Sequence, residues 1–172
     1  MNKYTTTQIM RFQVIKDQTI KYKLSHISDS ETTAELITQT INKAGQNDRE
    51  QMVVIFLNAK NKVIGTNIVS MGGLTSCNVF PQDIVKAALI CNANAIVLGH
   101  NHPSGTMDPS PEDKSVTKQI ILAAMMVGIT VHDHVILDMF EDGHYSMSDN
   151  GFILQYTNDA AKILKNNYLT YQ

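Results

Sequence analysis

Two cysteines are all that the 172 residues contain, Cys77 and Cys91, and they form neither a CxxC pair nor a zinc-finger spacing. Nothing supports a disulfide framework or a thiolate metal site, so two buried free thiols are expected. No apolar run approaches the roughly 20 residues of a membrane span. Residues 1–13 are polar and lack the apolar stretch of a signal peptide. A cytoplasmic protein without a membrane partner is therefore expected. Basic excess is also missing: the formal net charge is −2, which gives no global attraction to nucleic acid. Lys16, Lys21 and Lys23 lie close together, but a cluster of that size reads as a solvated face. There is no internal repeat, low-complexity tract or obvious linker. The length suits one domain with a real core.

What is present is an alternation of short apolar runs and helical periodicities. Residues 9–15 and 19–24 predict two strands around the turn Lys16-Asp17-Gln18, a hairpin extension over residues 1–27. Ser28 and Glu31 have capping-box spacing, and Ala34, Leu36, Ile37, Ile41 and Ala44 recur at helical intervals, predicting a helix from about Asp29 to Ala44. The run from Met52 to Leu57 predicts a buried strand, with a hairpin partner from Lys62 to Ser70. Pro81 opens a helix that ends near Asn92. Ala95 to Gly99 is a second buried strand, and a helix from Pro111 to about Val127 follows. Strands are expected over Thr130 to Leu137 and Gly143 to Met147, and a short helix from Asn158 in a C-terminal tail. The pattern indicates an α/β or α+β sandwich with a mixed sheet.

His100 and His102 stand two apart at the end of a predicted strand, so their side chains share a face and can converge. Pro103 and Gly105 end the strand there. Asp113 sits in the first turn of the next helix. Two histidines and a carboxylate leave a fourth position open on zinc, and iron, cobalt or nickel suits the same ligands. Ser110-Pro111-Glu112-Asp113 also has a purely structural reading: N-cap, N1 proline and acidic residues at the positive helix end. For an acid/base group, Asp48, Glu31 and Glu35 compete with Glu50, which directly precedes the buried strand. A second HxH, His132-Asp133-His134, has strand spacing too. There is no HExxH, and no HxE with PCxxC.

The string His100-Asn101-His102, then Ser110 and Asp113, resembles the JAMM (MPN+) metalloprotease motif. The longer run His100 to Gly105 with Pro109-Ser110 and Asp113 is similar to the RadC family. So are Glu50 leading into Val53 to Asn58, the hairpin at Asn61 to Ile64, Asn92 to Ala95, and Asp133 to Ile136. The resemblance covers about residues 28–151. It implies a cytidine-deaminase-like, JAMM-type mixed β-sheet flanked by helices. It implies His100, His102 and Asp113 as zinc ligands, Glu50 as the group that activates water, and Ser110 as a donor to the oxyanion. The implied activity is hydrolysis of a peptide or isopeptide amide in a protein or peptide substrate. The alternative is a RadC-type accessory to DNA repair or processing. No helix-hairpin-helix repeat is seen in the N-terminal stretch, which weakens direct DNA binding. Asn101 stands where many deubiquitinating relatives have Ser or Thr, which puts a ubiquitin-like substrate in doubt.

Overall fold

The computed structural model describes residues 11, 13–22, 27, 29–46, 48–72, 79–103, 105–138 and 143–168. Four helices flank a five-stranded mixed sheet. The elements run α1 (Ser30–Ala44), β1 (Gln51–Leu57), β2 (Val63–Met71), α2 (Pro81–Ile90), β3 (Ala95–His102), α3 (Pro111–Met126), β4 (Thr130–Asp138), β5 (Gly143–Ser146) and α4 (Phe152–Tyr168). The strand order is β2-β1-β3-β4-β5. β3 and β4 are parallel and joined through α3, whereas the other neighbours are antiparallel.

The central strands are apolar on both sides because both sides are covered. Every residue of β1 is buried. Met52, Val54, Phe56, Ile96, Leu98 and Ile136 face one layer, with Ile84 and Ala88 of α2, Ile120 of α3 and Tyr156 of α4. Val53, Ile55, Leu57, Val97, Val135 and Leu137 face the other, with Leu36, Ile37 and Ile41 of α1. Gly99 makes the second layer close. A Cβ there would stand 2.2 Å from Ile37 Cδ1. Gly99→Ala is expected to push α1 off the sheet and destabilise the fold by about 1–3 kcal/mol, the usual cost of overpacking. A lower midpoint of urea unfolding checks this; an unchanged midpoint refutes it.

Several expectations need correction. Residues 13–22 form no strand, so the hairpin is not seen in the described part of the N-terminal extension; Ile9, Met10, Phe12 and Leu24 lie outside the described residues. That stretch contributes packing instead, with Ile20 and Tyr22 against the α1 layer. Asp29 is the N-cap of α1, its side chain accepting from Thr32 N at 2.8 Å; Ser28 lies outside the described residues. Cys91 is a free thiol but only half-buried, and Cys77 lies outside the described residues. The last helix starts at Phe152 rather than Asn158. Gly151, at φ 78°, makes the turn into it, and Ile153, Tyr156 and Ala160 then recur at helical spacing on the α3 side. Among the described residues, no helix is long and apolar enough to cross a membrane.

Candidate metal centre

His100 and His102 are the last residues of β3 on the face toward α3. The two Nε2 atoms are 2.8 Å apart. Asp113, in the first turn of α3, places Oδ1 3.3 Å from His100 Nε2 and Oδ2 3.5 Å from His102 Nε2. Glu50 arrives from the other side. The β1–β3 register pairs Met52 with His100. Continued by two residues, that register sets Glu50 opposite His102, on the same face. One ligand atom each from Glu50, His100, His102 and Asp113 lies within 4.8 Å of all the others.

The surrounding hydrogen bonds determine which nitrogens carry protons. Thr117 donates its hydroxyl proton to the Asp113 carbonyl at 2.5 Å. Its oxygen can then only accept from His134 Nδ1, 2.6 Å away. His134 is fully buried, and burial holds its imidazole well below the ordinary value. It is therefore neutral, and its bare Nε2 accepts from His100 Nδ1 at 2.7 Å. His102 Nδ1 faces the Thr106 carbonyl, which can only accept. Both ligand histidines thus donate through Nδ1 and present Nε2 lone pairs to each other. Two lone pairs and a carboxylate meeting at one point call for a cation.

Without a metal, protons shared among these groups stand in for the cation. The Asp113 carboxylate raises His102 above its ordinary value, although burial pulls the other way. Burial alone would raise Asp113, but the bonds from His100, His102 and Ser110 hold it far below the carboxylate range. Burial pushes Glu50 up; the His100 and His102 charges oppose that, and Asp113 adds to it. The donor set fits a metal ion: two imidazole nitrogens oriented by hydrogen bonds and a carboxylate, with a second carboxylate beside them.

Ser110 caps α3. Its oxygen accepts from Asp113 N at 3.0 Å, and its hydroxyl donates to Asp113 Oδ2 at 2.6 Å. Asp113 Oδ2 also accepts from Ser110 N at 2.9 Å, completing a capping box. The structural and metal-ligating readings of Asp113 therefore coexist: the cap fixes the carboxylate that faces the histidines. The Ser110 hydroxyl proton, however, points at Asp113 and not into the site. Asp48, Glu31 and Glu35 are not in the cluster.

A family model described as RadC-like JAB domain matches residues 27–152. The chain belongs to this family. A relative from Rubrobacter xylanophilus is 43% identical over 106 residues, covering 62% of this chain and 45% of the relative. One from Symbiobacterium thermophilum is 41% identical over 104 residues, covering 60% and 44%. One from Histophilus somni is 32% identical over 152 residues, covering 86% and 67%. The chain thus spans less than half the length of the first two. All three are called UPF0758 proteins, a name that states no activity. The RadC-like JAB domain and a His/Asp/Glu group able to hold a metal together fit a hydrolase.

Among the described residues, the second HxH of this family member forms no second metal-ligating group. β4 carries a bulge: Val131 pairs with Ile96 and Asp133 with Val97, so His132 is the extra residue. Val131 and Ile136 consequently face the same layer although five residues apart. His132 turns to Asn61 Oδ1 at 3.0 Å, while His134 points into the metal centre. Asp133 accepts from His134 N, Ser148 N and Ser146 Oγ and ties β5 to the sheet. The Thr117–His134 relay was not recognisable from spacing, because the bulge reverses the strand's alternation. His134→Phe leaves His100 Nδ1 without an acceptor. It is expected to weaken zinc affinity about 10–100-fold, measured by competition with a chromogenic chelator; wild-type affinity would show that the relay does not orient His100.

Proposed function

We propose that the domain is a zinc-dependent hydrolase that cleaves a peptide or isopeptide amide bond in a protein or peptide substrate. The observation that carries this reading is the convergence of the two Nε2 lone pairs and Asp113 on one point, with Glu50 beside it. His100, His102 and Asp113 would hold the zinc ion, which would supply Lewis acidity, lowering the pKa of a water from 15.7 toward ~7 and polarising the scissile carbonyl.

The chain's own residues supply the rest. Glu50 takes a proton from the attacking water as the new C–O bond forms. It then delivers that proton to the amine as the C–N bond breaks. Burial favours this shuttle by raising its affinity for a proton. His134 and Thr117 keep His100 Nε2 bare, and the Thr106 carbonyl does the same for His102. Ser110 orients Asp113, and donation from Ser110 to a developing oxyanion requires its hydroxyl to turn away from Asp113 Oδ2.

The test is cleavage of a mixed peptide library and a lysine-linked isopeptide probe by zinc-loaded protein, with new amino termini identified by mass spectrometry. Cleavage that a chelator abolishes and zinc restores is expected. Stoichiometric zinc with every probe left intact would overturn amide hydrolysis.

A further inference from the structure

Asn101 lies between the two ligand histidines and is completely buried. It alternates away from them, toward the α1 layer, so it cannot join the metal centre. Both ends of its amide are nevertheless engaged. Oδ1 accepts from Gln51 N at 2.9 Å, and Nδ2 donates to the Arg49 carbonyl at 2.8 Å. These two backbone groups bracket Glu50.

The register explains the arrangement. The paired β1–β3 ladder ends at Met52 and His100, so Gln51 would next stand opposite Asn101. At that position the Asn101 side chain takes the part of a peptide group, one acceptor and one donor, and extends the ladder beyond its last backbone pair. Other bonds hold the Glu50 segment to its own surroundings. Gly72 N donates to the Glu50 carbonyl at 2.9 Å, and the Gln51 side chain holds Gln46 through two bonds. The Asn101 bonds do something different: they fasten the chain on both sides of Glu50 to the strand that carries the ligands.

We propose that Asn101 is a positioning residue, which fixes the distance from the Glu50 carboxylate to the metal centre by clamping residues 49 and 51 to β3. The inference rests on the reading of Glu50 as the proton shuttle. The chemistry requires an amide. Aspartate would set an anionic oxygen against the Arg49 carbonyl. Serine has one oxygen for two partners 2.8–2.9 Å from an amide fork. Alanine leaves the buried Gln51 N–H unmatched and the Arg49 carbonyl with only the longer contact from Gln51 Nε2 at 3.5 Å. A misplacement of about 1 Å can cost a factor of 100 in rate, so freeing this segment should affect turnover before it affects binding.

Asn101→Ala, Asn101→Asp and Asn101→Ser, each loaded with zinc, are compared with Glu50→Gln on the isopeptide probe. The Asn101 variants are expected to keep zinc affinity within a few-fold, keep KM, and lose about 10–100-fold in kcat. A second measurement needs no turnover. Protein carrying 13C-labelled glutamate is loaded with Co2+, and the Glu50 carboxylate signal is assigned by its absence in Glu50→Gln. Its large paramagnetic shift should shrink in the Asn101 variants, with Asn101→Ser intermediate. In the wild-type protein the Gln51 amide should exchange slowly; fast exchange there overturns the clamp even if Asn101→Ala fails to fold. An unchanged Glu50 signal and unchanged kcat in the Asn101 variants, with Glu50→Gln inactive, overturns the positioning role and leaves the shuttle standing. An active Glu50→Gln removes the shuttle, and the Co2+ shift still reports on the clamp.

Discussion

Replacing His100 and Asp113 together by alanine is expected to reduce bound transition metal from near-stoichiometric to background, as measured by elemental analysis of purified protein. On the proposed reading two of three ligands are lost, and a single remaining imidazole would not hold a metal against solvent. Wild-type-like metal content in the double variant would sink the site. The double variant has structural costs of its own. Without His100, the buried His134 Nε2 loses its partner, at about 1–3 kcal/mol. Without the Asp113 carboxylate, the α3 capping box opens, at about 1 kcal/mol. His102→Ala is therefore the companion variant. His102 is only partly buried, and it meets the Thr106 carbonyl, His100 Nε2 and Asp113 Oδ2 without capping a helix or filling the core. It should lose most of the metal while unfolding at the wild-type temperature under metal-free conditions.

Glu50→Gln is expected to keep the metal and lose turnover. A glutamine is nearly the same shape and keeps the backbone clamped, but it cannot accept a proton. General acid–base groups contribute about 10²- to 10⁴-fold, so kcat on the isopeptide probe should fall by that factor with KM little changed. The pH profile gives a second check. Glu50 must be deprotonated to accept the first proton, and burial raises its pKa. In the wild type the acid limb of kcat/KM should therefore lie above the ordinary glutamate value. That limb should vanish in the variant. Turnover equal to wild type would remove Glu50 from the mechanism.

The parts of this site visible in the sequence are those set by short-range rules. Strand alternation places His100 and His102 on one face, and cap chemistry places Ser110 and Asp113 at the start of α3. Long-range register lies outside such rules. Nothing near Glu50 in the chain says that it will stand opposite His102; that follows only once Met52 is known to pair with His100. The same holds for Asn101, whose neighbours suggest a spacer between two ligands and whose partners are about fifty positions away. The buried strands were legible because their apolar runs are unbroken. In the described part of the N-terminal extension no strand forms, because apolar residues such as Ile20 and Tyr22 can pack on α1 without any strand partner.

One feature of the centre bears on how the apo and loaded forms differ. His100, His102, the Thr106 carbonyl, Ser110 and Asp113 all fall within residues 100–113, between the end of β3 and the first turn of α3. A metal here closes a short excursion of chain; it does not cross-link remote parts of the fold. Closing a loop of that length carries little conformational entropy. The apolar layers on both sides of the sheet do not depend on the metal. Chelation should therefore act as local melting, with faster amide exchange over residues 105–108 and the sheet still protected. The binding energy of a metal held there would go into the rigidity of one loop at the mouth of the site, and the fold would outlast the loss of such an ion.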